Sequence, residues 1–401
     1  LADTPHQFEA VLVYTWRTAA IARIEAGRAQ EAVEALDRAM ARTPNHIELL
    51  GMRAMALEAL QKPAGAERDF RTRARLAPWH PEAWLELGIF YNNHQRFEEA
   101  RKALDHAQAL KPGHVRVLCT RGSVLLNLGA FEEAWDCYEQ AAGQVDRPGT
   151  GRRPLADLGM SLAGAWVEGH GKAARDPSAV REMVLRAQEV LGVGPETEPL
   201  LARIDLAAGE GASAERHLRR SLALRADDPA RLLLAELLRA RGVQALLAKD
   251  PESAFLDYRE ALALFPSGVD TRGVQAHLEM VSAEVLKRRF GKGTRAFQAG
   301  DLEGARRGFR SALEVAPDFF EGWFNLGLVE SRLKDWPAAA EAFGKAAVLQ
   351  PGDFESQLRL GDALAGAGDA AGARQAFARA GVLAVTGAQR QAVAARVDSA
   401  P

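Results

Sequence analysis

The chain has few of the features that mark disulfide-rich, membrane or nucleic-acid-coating proteins. It contains only two cysteines, Cys119 and Cys137, in 401 residues, which excludes a disulfide framework. No run of about 18 apolar residues occurs, so we expect no direct membrane insertion. Lys+Arg is 51 and Asp+Glu is 53, which gives a net charge of -2. This balance argues against a protein that binds nucleic acid through charge.

An arrangement of residues typical of catalysis is also missing. The nine histidines show no metal-ligand spacing. Residues 291–294 read Gly-Lys-Gly-Thr, but the earlier glycine and the preceding strand of a phosphate-binding loop are lacking. We interpret His170 and Lys172 as solvent-exposed, and the two cysteines as reduced, partly buried thiols, with a redox pair as the alternative. The sequence therefore predicts a protein that is not an enzyme and that uses neither a cofactor nor a metal.

What the chain does have is a repeat of about 34 residues. Residues 81–114 carry large and small apolar residues at helical spacing and end on a proline: Trp84, Leu87, Gly88, Tyr91, Ala100, Leu104, Ala107 and Pro112. Residues 320–353 repeat this register with Trp323, Leu326, Gly327, Ala339, Phe343, Ala346 and Pro351. The large residues form one helical face, and the small ones let two helices approach closely. Four glycines are expected to end first helices in a left-handed conformation: Gly27, Gly129, Gly300 and Gly368.

This pattern resembles the tetratricopeptide repeat family, whose units are helix–turn–helix pairs of about 34 residues. The resemblance implies an all-α fold, an α-solenoid of stacked helix–turn–helix repeats that forms a right-handed superhelix of about ten units. Single units cannot bury their apolar faces alone, so stacking makes the continuous core. The Ala/Arg/Leu/Gly-rich composition is typical of bacterial proteins, so the resemblance points to a bacterial scaffold.

The regularity of the repeats divides the chain into three segments. Residues 1–146 hold about four regular units, residues 147–285 hold divergent helical repeats, and residues 286–401 hold about three regular units and a capping helix. Within the divergent segment we predict a linker at 147–154, an insertion near 169–172, and a long helix at 229–249. A second long helix is predicted at 271–298, and the capping helix at 388–397.

The resemblance also implies a concave groove lined by the first helices of the units, which holds a peptide or a partner helix. Carried over position by position, the N-terminal candidate surface comprises Met52, Met55, Asn92, Asn93 and Asn127. The C-terminal candidate comprises Phe290, Phe297, Phe324, Asn325, Arg332 and Arg359. We favour the C-terminal surface slightly, because aromatic and arginine side chains dominate binding energy. The alternative is that its phenylalanines belong to the core.

We expect a non-catalytic scaffold that binds a protein or peptide partner, as one component of a multiprotein complex. The resemblance suggests envelope assembly, secretion, pilus or polysaccharide machinery. The alternative is the substrate-recruiting arm of a larger enzyme, such as a protein glycosyltransferase. Nucleic-acid partners are not expected, because the repeats lack the basic character of RNA-reading repeats. A cytoplasmic location is preferred, and a periplasmic or envelope-associated one stays open because the chain starts at Leu1 rather than Met.

Overall fold

A computed structural model describes residues 4–145, 151–170, 175–226 and 228–397, with side chains from residue 14 onward. All regular structure in these residues is α-helical, which confirms the predicted all-α solenoid of helical repeats. The 21 helices form ten consecutive pairs followed by one last helix. The chain divides into two compact bodies, an N-terminal body of Leu1–Asp227 and a C-terminal body of Asp228–Pro401. The handedness of the superhelix stays a prediction.

The N-terminal body consists of six helix pairs. Its helices are α1 (Thr4–Glu25), α2 (Ala29–Met40), α3 (Ile47–Ala59), α4 (Pro63–Leu76), α5 (Pro81–Asn93), α6 (Phe97–Leu110), α7 (Val115–Asn127), α8 (Phe131–Ala142), α9 (Arg152–Val167), α10 (Pro177–Leu191), α11 (Thr197–Ala207) and α12 (Gly211–Leu224). Each helix packs on its chain neighbour, and several first helices also touch the next first helix, as α5 touches α7. The first helices therefore lie side by side along one surface of this body.

The C-terminal body contains four helix pairs and the last helix. Its helices are α13 (Asp228–Leu247), α14 (Pro251–Leu264), α15 (Arg272–Gln298), α16 (Leu302–Leu313), α17 (Phe320–Arg332), α18 (Trp336–Leu349), α19 (Phe354–Gly366), α20 (Ala370–Leu383) and α21 (Gly387–Val397). Both predicted long helices are present as α13 and α15, and α21 occupies the place of the predicted capping helix. Since α21 packs on α20, it covers the end of the last pair.

Residues with positive φ mark the turn between the two helices of a pair. The four glycines predicted for this role have φ between 72° and 86°. The intervening pairs place a non-glycine residue at the same point of the repeat: Gln61, Gln95, Lys249 and Lys334, with φ between 55° and 62°. The turn therefore imposes the left-handed backbone conformation on residues with long polar side chains as well, at a modest steric cost.

Small residues allow the two helices of a pair to cross closely. A Cβ added at Gly88 would lie 2.7 Å from Leu104 Cγ on the partner helix. At the crossing of α15 and α16 two glycines face each other, and a Cβ on Gly308 would lie 2.5 Å from Gly293 Cα. The Gly-Lys-Gly-Thr run at 291–294 thus lies inside α15, and Gly293 serves the helix crossing.

The predicted linker at 147–154 needs a correction at its end. Residues 146–150 lie outside the described residues, but α9 already begins at Arg152, so Pro154 lies in its first turn. Proline is accommodated there because the first N–H groups of a helix have no intrahelical partner. In the predicted insertion, Gly169 and His170 form a turn, and the His170 ring stacks on Phe131 at 4.2 Å; residues 171–174 lie outside the described range.

The division into two bodies falls inside the predicted central segment. The boundary lies between Asp227 and Asp228, whereas the regularity of the repeats places the limits of that segment at 147 and 285. Packing and repeat regularity thus describe different properties of the chain. The three-segment division stays a proposal about repeat regularity.

Candidate partner-binding surfaces

The predicted N-terminal residues lie on three successive first helices, α3, α5 and α7, and we call them the amide surface (Met52, Met55, Asn92, Asn93 and Asn127). Asn127 Nδ2 donates to Asn92 Oδ1 at 3.3 Å, and Asn93 Nδ2 donates to Glu58 Oε1 at 3.2 Å. These hydrogen bonds join residues 35 positions apart, which is close to one repeat length. The structure thus brings the three asparagines together.

Glu58 was not among the residues predicted from the sequence, although its carboxylate completes this row of polar groups. Glu58 lies near the end of α3, half-buried, and its carboxylate also lies 3.9 Å from His94 Nε2. The signal was available in the repeat, since Glu58 precedes Asn93 by 35 residues, as Asn92 precedes Asn127. A carboxylate accepts hydrogen bonds only, so it can bind backbone N–H groups but not C=O groups.

The two methionines of the amide surface differ in exposure. Met55 is 42% exposed, whereas Met52 is half-buried against the cluster that contains Leu36 and Leu49. A flexible, polarizable side chain that reaches solvent beside polar groups is suited to contact with varied apolar side chains. Met55 is therefore the more exposed of the two methionines on this surface.

The predicted C-terminal residues lie on the first helices α15, α17 and α19, and we call them the aromatic surface (Phe290, Phe297, Phe324, Asn325, Arg332 and Arg359). Phe290 packs 5.4 Å from Phe309 and 5.0 Å from Phe319, measured between ring centroids. Phe324 meets Phe343 edge to face at 5.6 Å. All three phenylalanines of the surface are half-buried, so one side of each ring belongs to the core.

The polar residues of the aromatic surface are engaged with neighbours. The Arg332 guanidinium lies over the Phe297 ring at 4.4 Å and thereby links the ends of α15 and α17. Asn325 Nδ2 donates to the backbone oxygen of Glu321 at 2.7 Å, and Arg359 Nε lies 2.8 Å from Glu355 Oε1. These contacts favour the interpretation that the phenylalanines belong to the core. The contacts of the asparagines in the amide surface favour a core role less.

The two cysteines lie on the paired helices α7 and α8 in one hydrophobic cluster, and both are buried and free. Burial raises the pKa of the Cys119 thiol to about 12. Burial also raises the pKa of Cys137, although Arg121 Nη1 donates to its Sγ at 3.2 Å and opposes that shift. Only the thiolate is a good nucleophile, so these positions suit inert packing rather than redox exchange.

We expect a thiol-reactive disulfide reagent to leave the native protein unlabelled near pH 8. With a pKa of about 12, the Cys119 thiol is ionised in roughly one molecule in ten thousand at that pH, and burial also raises the pKa of Cys137. Absorbance of the released chromophore should show two thiols per chain after denaturation. Labelling of the folded protein at the rate of a free cysteine, or absence of both thiols after denaturation, would contradict this expectation.

Neither a metal centre nor a membrane span is found where the structure can be described. In the described residues no group of three or more His, Cys, Asp or Glu side chains could hold a metal ion. A search of the same residues found no helix with the length and apolar character needed to cross a membrane.

The paired helices, the left-handed turns about 34 residues apart and the close crossings define a helical-repeat scaffold. Models of the tetratricopeptide repeat match residues 52–115, 290–354 and 330–382, and a second such model matches residues 115–143. The chain belongs to the tetratricopeptide repeat family. Repeats of this family generally mediate protein–protein interaction, and the fold is typically a non-catalytic interaction scaffold.

Several solved structures are similar to this chain. A tetratricopeptide repeat protein from Parabacteroides merdae is 15% identical, with a TM-score of 0.40, and the match covers 67% of this chain and 98% of the other. The C-terminal part of a repeat-containing protein from Cytophaga hutchinsonii is 16% identical, with a TM-score of 0.48 and coverage of 65% and 99%. MamA from Desulfovibrio magneticus is 18% identical, with a TM-score of 0.37 and coverage of 44% and 94%. No curated protein matches the sequence.

Proposed function

We propose that the chain is a non-catalytic scaffold that binds a peptide or partner helix on its first helices, and that the amide surface is the principal contact. The observation that supports this choice is the row of polar side chains across the first helices, with amides on α5 and α7 and the Glu58 carboxylate on α3. Asn93 and Asn127 are exposed at its ends, and each side-chain amide offers both a donor and an acceptor. A peptide backbone needs both.

Side-chain exposure is the reason to prefer the amide surface over the aromatic surface as the principal binding site. Binding energy comes from groups that lose water on association. The phenylalanines of the aromatic surface already share their rings with Phe309, Phe319 and Phe343, so they have less area left to bury. Met55 of the amide surface, by contrast, is 42% exposed. The aromatic surface remains the second candidate for the same function.

The proposal includes membership of a multiprotein complex, because an array of repeats presents more surface than a single short peptide occupies. The expected setting in bacterial envelope, secretion, pilus or polysaccharide assembly follows from the resemblance alone. The role as recruiting arm of a larger enzyme stays the alternative.

The test starts with a peptide selected from a random library on the full chain. Its affinity is then measured for the wild type, for an Asn93→Ala/Asn127→Ala variant, and for Asn325→Ala. We expect about tenfold weaker binding for the double variant, since two hydrogen bonds to the peptide are lost. Asn325→Ala is the matched control, because its amide donates to its own helix at Glu321. Circular dichroism must show that all variants remain folded.

Two outcomes would contradict the proposal in different ways. If Phe324→Ala weakens binding and the double amide variant does not, the aromatic surface is the binding site. If neither change affects any selected peptide, the first helices do not form the binding surface.

A further inference from the structure

A cleft of about 840 Å³ opens between α15 and α16, beside the first turn of α14. Six of its lining residues are cations, and we call this site the basic cleft: Lys287, Arg288, Arg289, Lys292, Arg295 and Arg307. Five of the cations lie on α15 and one lies on α16. Such a concentration of positive charge is local, because the whole chain has a net charge of -2.

The cleft lies where this repeat lacks three large apolar residues that the repeat containing α5 carries. Counting from the matching glycines Gly88 and Gly293, the residues Trp84, Leu87 and Tyr91 of α5 correspond to Arg289, Lys292 and Ala296 of α15. Trp84 stacks on His106 of the second helix at 4.6 Å, and Leu87 and Tyr91 are buried. In α15 a lysine and an alanine stand at the positions of Leu87 and Tyr91, so space remains between the helices.

Arg289 takes the place of the tryptophan and closes the floor of the cleft. Its Nη2 lies 2.7 Å from Glu252 Oε2 on α14, and its Nη1 donates to the backbone oxygen of Ser311 at 3.0 Å. This side chain is only 15% exposed. Arg289 therefore has a structural role, since its charge is already offset by Glu252 on α14.

The other cations are mostly available to a ligand. Arg288 pairs with Glu284 at 2.7 Å. Lys287, Lys292, Arg295 and Arg307 are exposed and make no salt bridge with any described residue. The nearby Asp301 carboxylate accepts a hydrogen bond from Gly304 N at 2.8 Å and caps α16. Four like charges around one concavity repel each other and attract an anion.

We propose that the basic cleft binds a carboxylate-rich segment of a partner protein. The row from Lys287 to Arg295 spans about 12 Å along the helix, which an extended peptide covers with roughly four residues. Arginine and lysine side chains pair well with carboxylates, and arginine does so through two parallel hydrogen bonds. The match in charge and length carries this assignment.

The lining residues disfavour the two other polyanions that a basic surface attracts. Among the described residues that line the cleft none is aromatic, so single-stranded nucleic acid finds no stacking platform. The acidic residues Glu252, Glu284 and Asp301 also line the cleft, and they would oppose a continuous phosphate backbone or an anionic membrane. A short acidic segment can avoid them.

The basic cleft lies on a different side of α15 from the aromatic surface. Phe290 and Phe297 are seven residues apart and share one face, whereas Lys292 lies about 140–160° around the helix from both. The proposal therefore goes beyond the peptide-binding function of the first helices and does not depend on it. It adds a second binding site, through which the scaffold would bind a second partner independently of the first.

The experiment measures binding of a fluorescent peptide of about six glutamates to the full chain at low salt, by anisotropy. A glutamine peptide of the same length controls for charge. The test variant is Lys292→Gln/Arg307→Gln. The matched control is Lys345→Gln/Arg379→Gln, which removes the same two residue types from exposed positions on α18 and α20 that do not line the cleft.

We expect the test variant to bind the acidic peptide about tenfold more weakly, and the matched control to bind as the wild type does. The Asn93→Ala/Asn127→Ala variant should keep full affinity, which separates this site from the amide surface. Equal losses in the test and control variants would overturn the proposal, because binding would then depend only on net charge. It would also be overturned if the wild type failed to bind the glutamate peptide. Tighter, cleft-dependent binding of an oligothymidine or of anionic lipid vesicles would assign the cleft to that ligand instead.

Discussion

Gly308→Ala is expected to destabilise the C-terminal body by about 3 kcal/mol, although it adds a single methyl group. The new Cβ would lie 2.5 Å from the Cα and 2.6 Å from the nitrogen of Gly293. Backbone atoms cannot rotate away as the end of a side chain does, so α15 and α16 must separate along their crossing. Chemical denaturation followed by circular dichroism measures the change in the free energy of unfolding.

A second glycine provides the control for Gly308. Gly344 lies in the interior of α18, and the atom nearest to its added Cβ is Leu360 Cδ1 at 3.9 Å. Gly344→Ala should stabilise the protein by up to about 1 kcal/mol, because alanine has the higher helix propensity. Equal unfolding midpoints for the two variants would show that the backbones of α15 and α16 are not in direct contact where the two helices cross. In a repeat array the damage should stay partly local, so unfolding can show more than one step.

Phe343→Ala is expected to cost about 3–5 kcal/mol of stability. Its ring is fully buried, meets Phe324 edge to face, and lies directly over Gly327, where an added Cβ would be 2.7 Å away. Removing the ring leaves a cavity that the close crossing of α17 and α18 cannot fill without moving both helices. The free energy of unfolding measured by chemical denaturation tests this value.

Phe320→Ala is the matched control for the loss of this ring. Phe320 also contacts Phe324, at 5.9 Å between centroids, but it is only half-buried. The two variants therefore both lose a contact with Phe324 and differ in burial. If Phe320→Ala costs as much as Phe343→Ala, burial at the helix crossing is not what stabilises this pair.

Trp84 shows that the position of a residue in the repeat does not by itself determine how deeply its side chain is buried. Its position in the repeat suggests a buried ring, yet the structure leaves it half-buried, stacked on His106 and donating from Nε1 to the backbone oxygen of Pro78 at 3.0 Å. The repeat position determines which residues the ring meets. How much solvent reaches the ring depends on the neighbouring pair, which the repeat pattern does not specify.

The spacing of residues in the sequence determined the helix pairs, the turns and the close crossings, because these depend on contacts within one repeat. Gly88 facing Leu104 and the left-handed turns at Gly27 and Gly129 are of this kind. The positions of the long helices α13 and α15 also followed from local pattern. Apolar periodicity and glycine conformation act over a few residues, so a single sequence can reveal them.

Only the tertiary structure decided what the exposed positions of neighbouring helices form together. The hydrogen bond from Asn127 to Asn92, the guanidinium of Arg332 over Phe297 and the opening of the basic cleft all join residues on different helices. Lys292 looked like part of a phosphate-binding sequence, and it lines a cleft because Ala296 on the same helix leaves the space empty. Such sites depend on how far apart two helices lie, and distances between helices are not encoded in the spacing of residues along one of them.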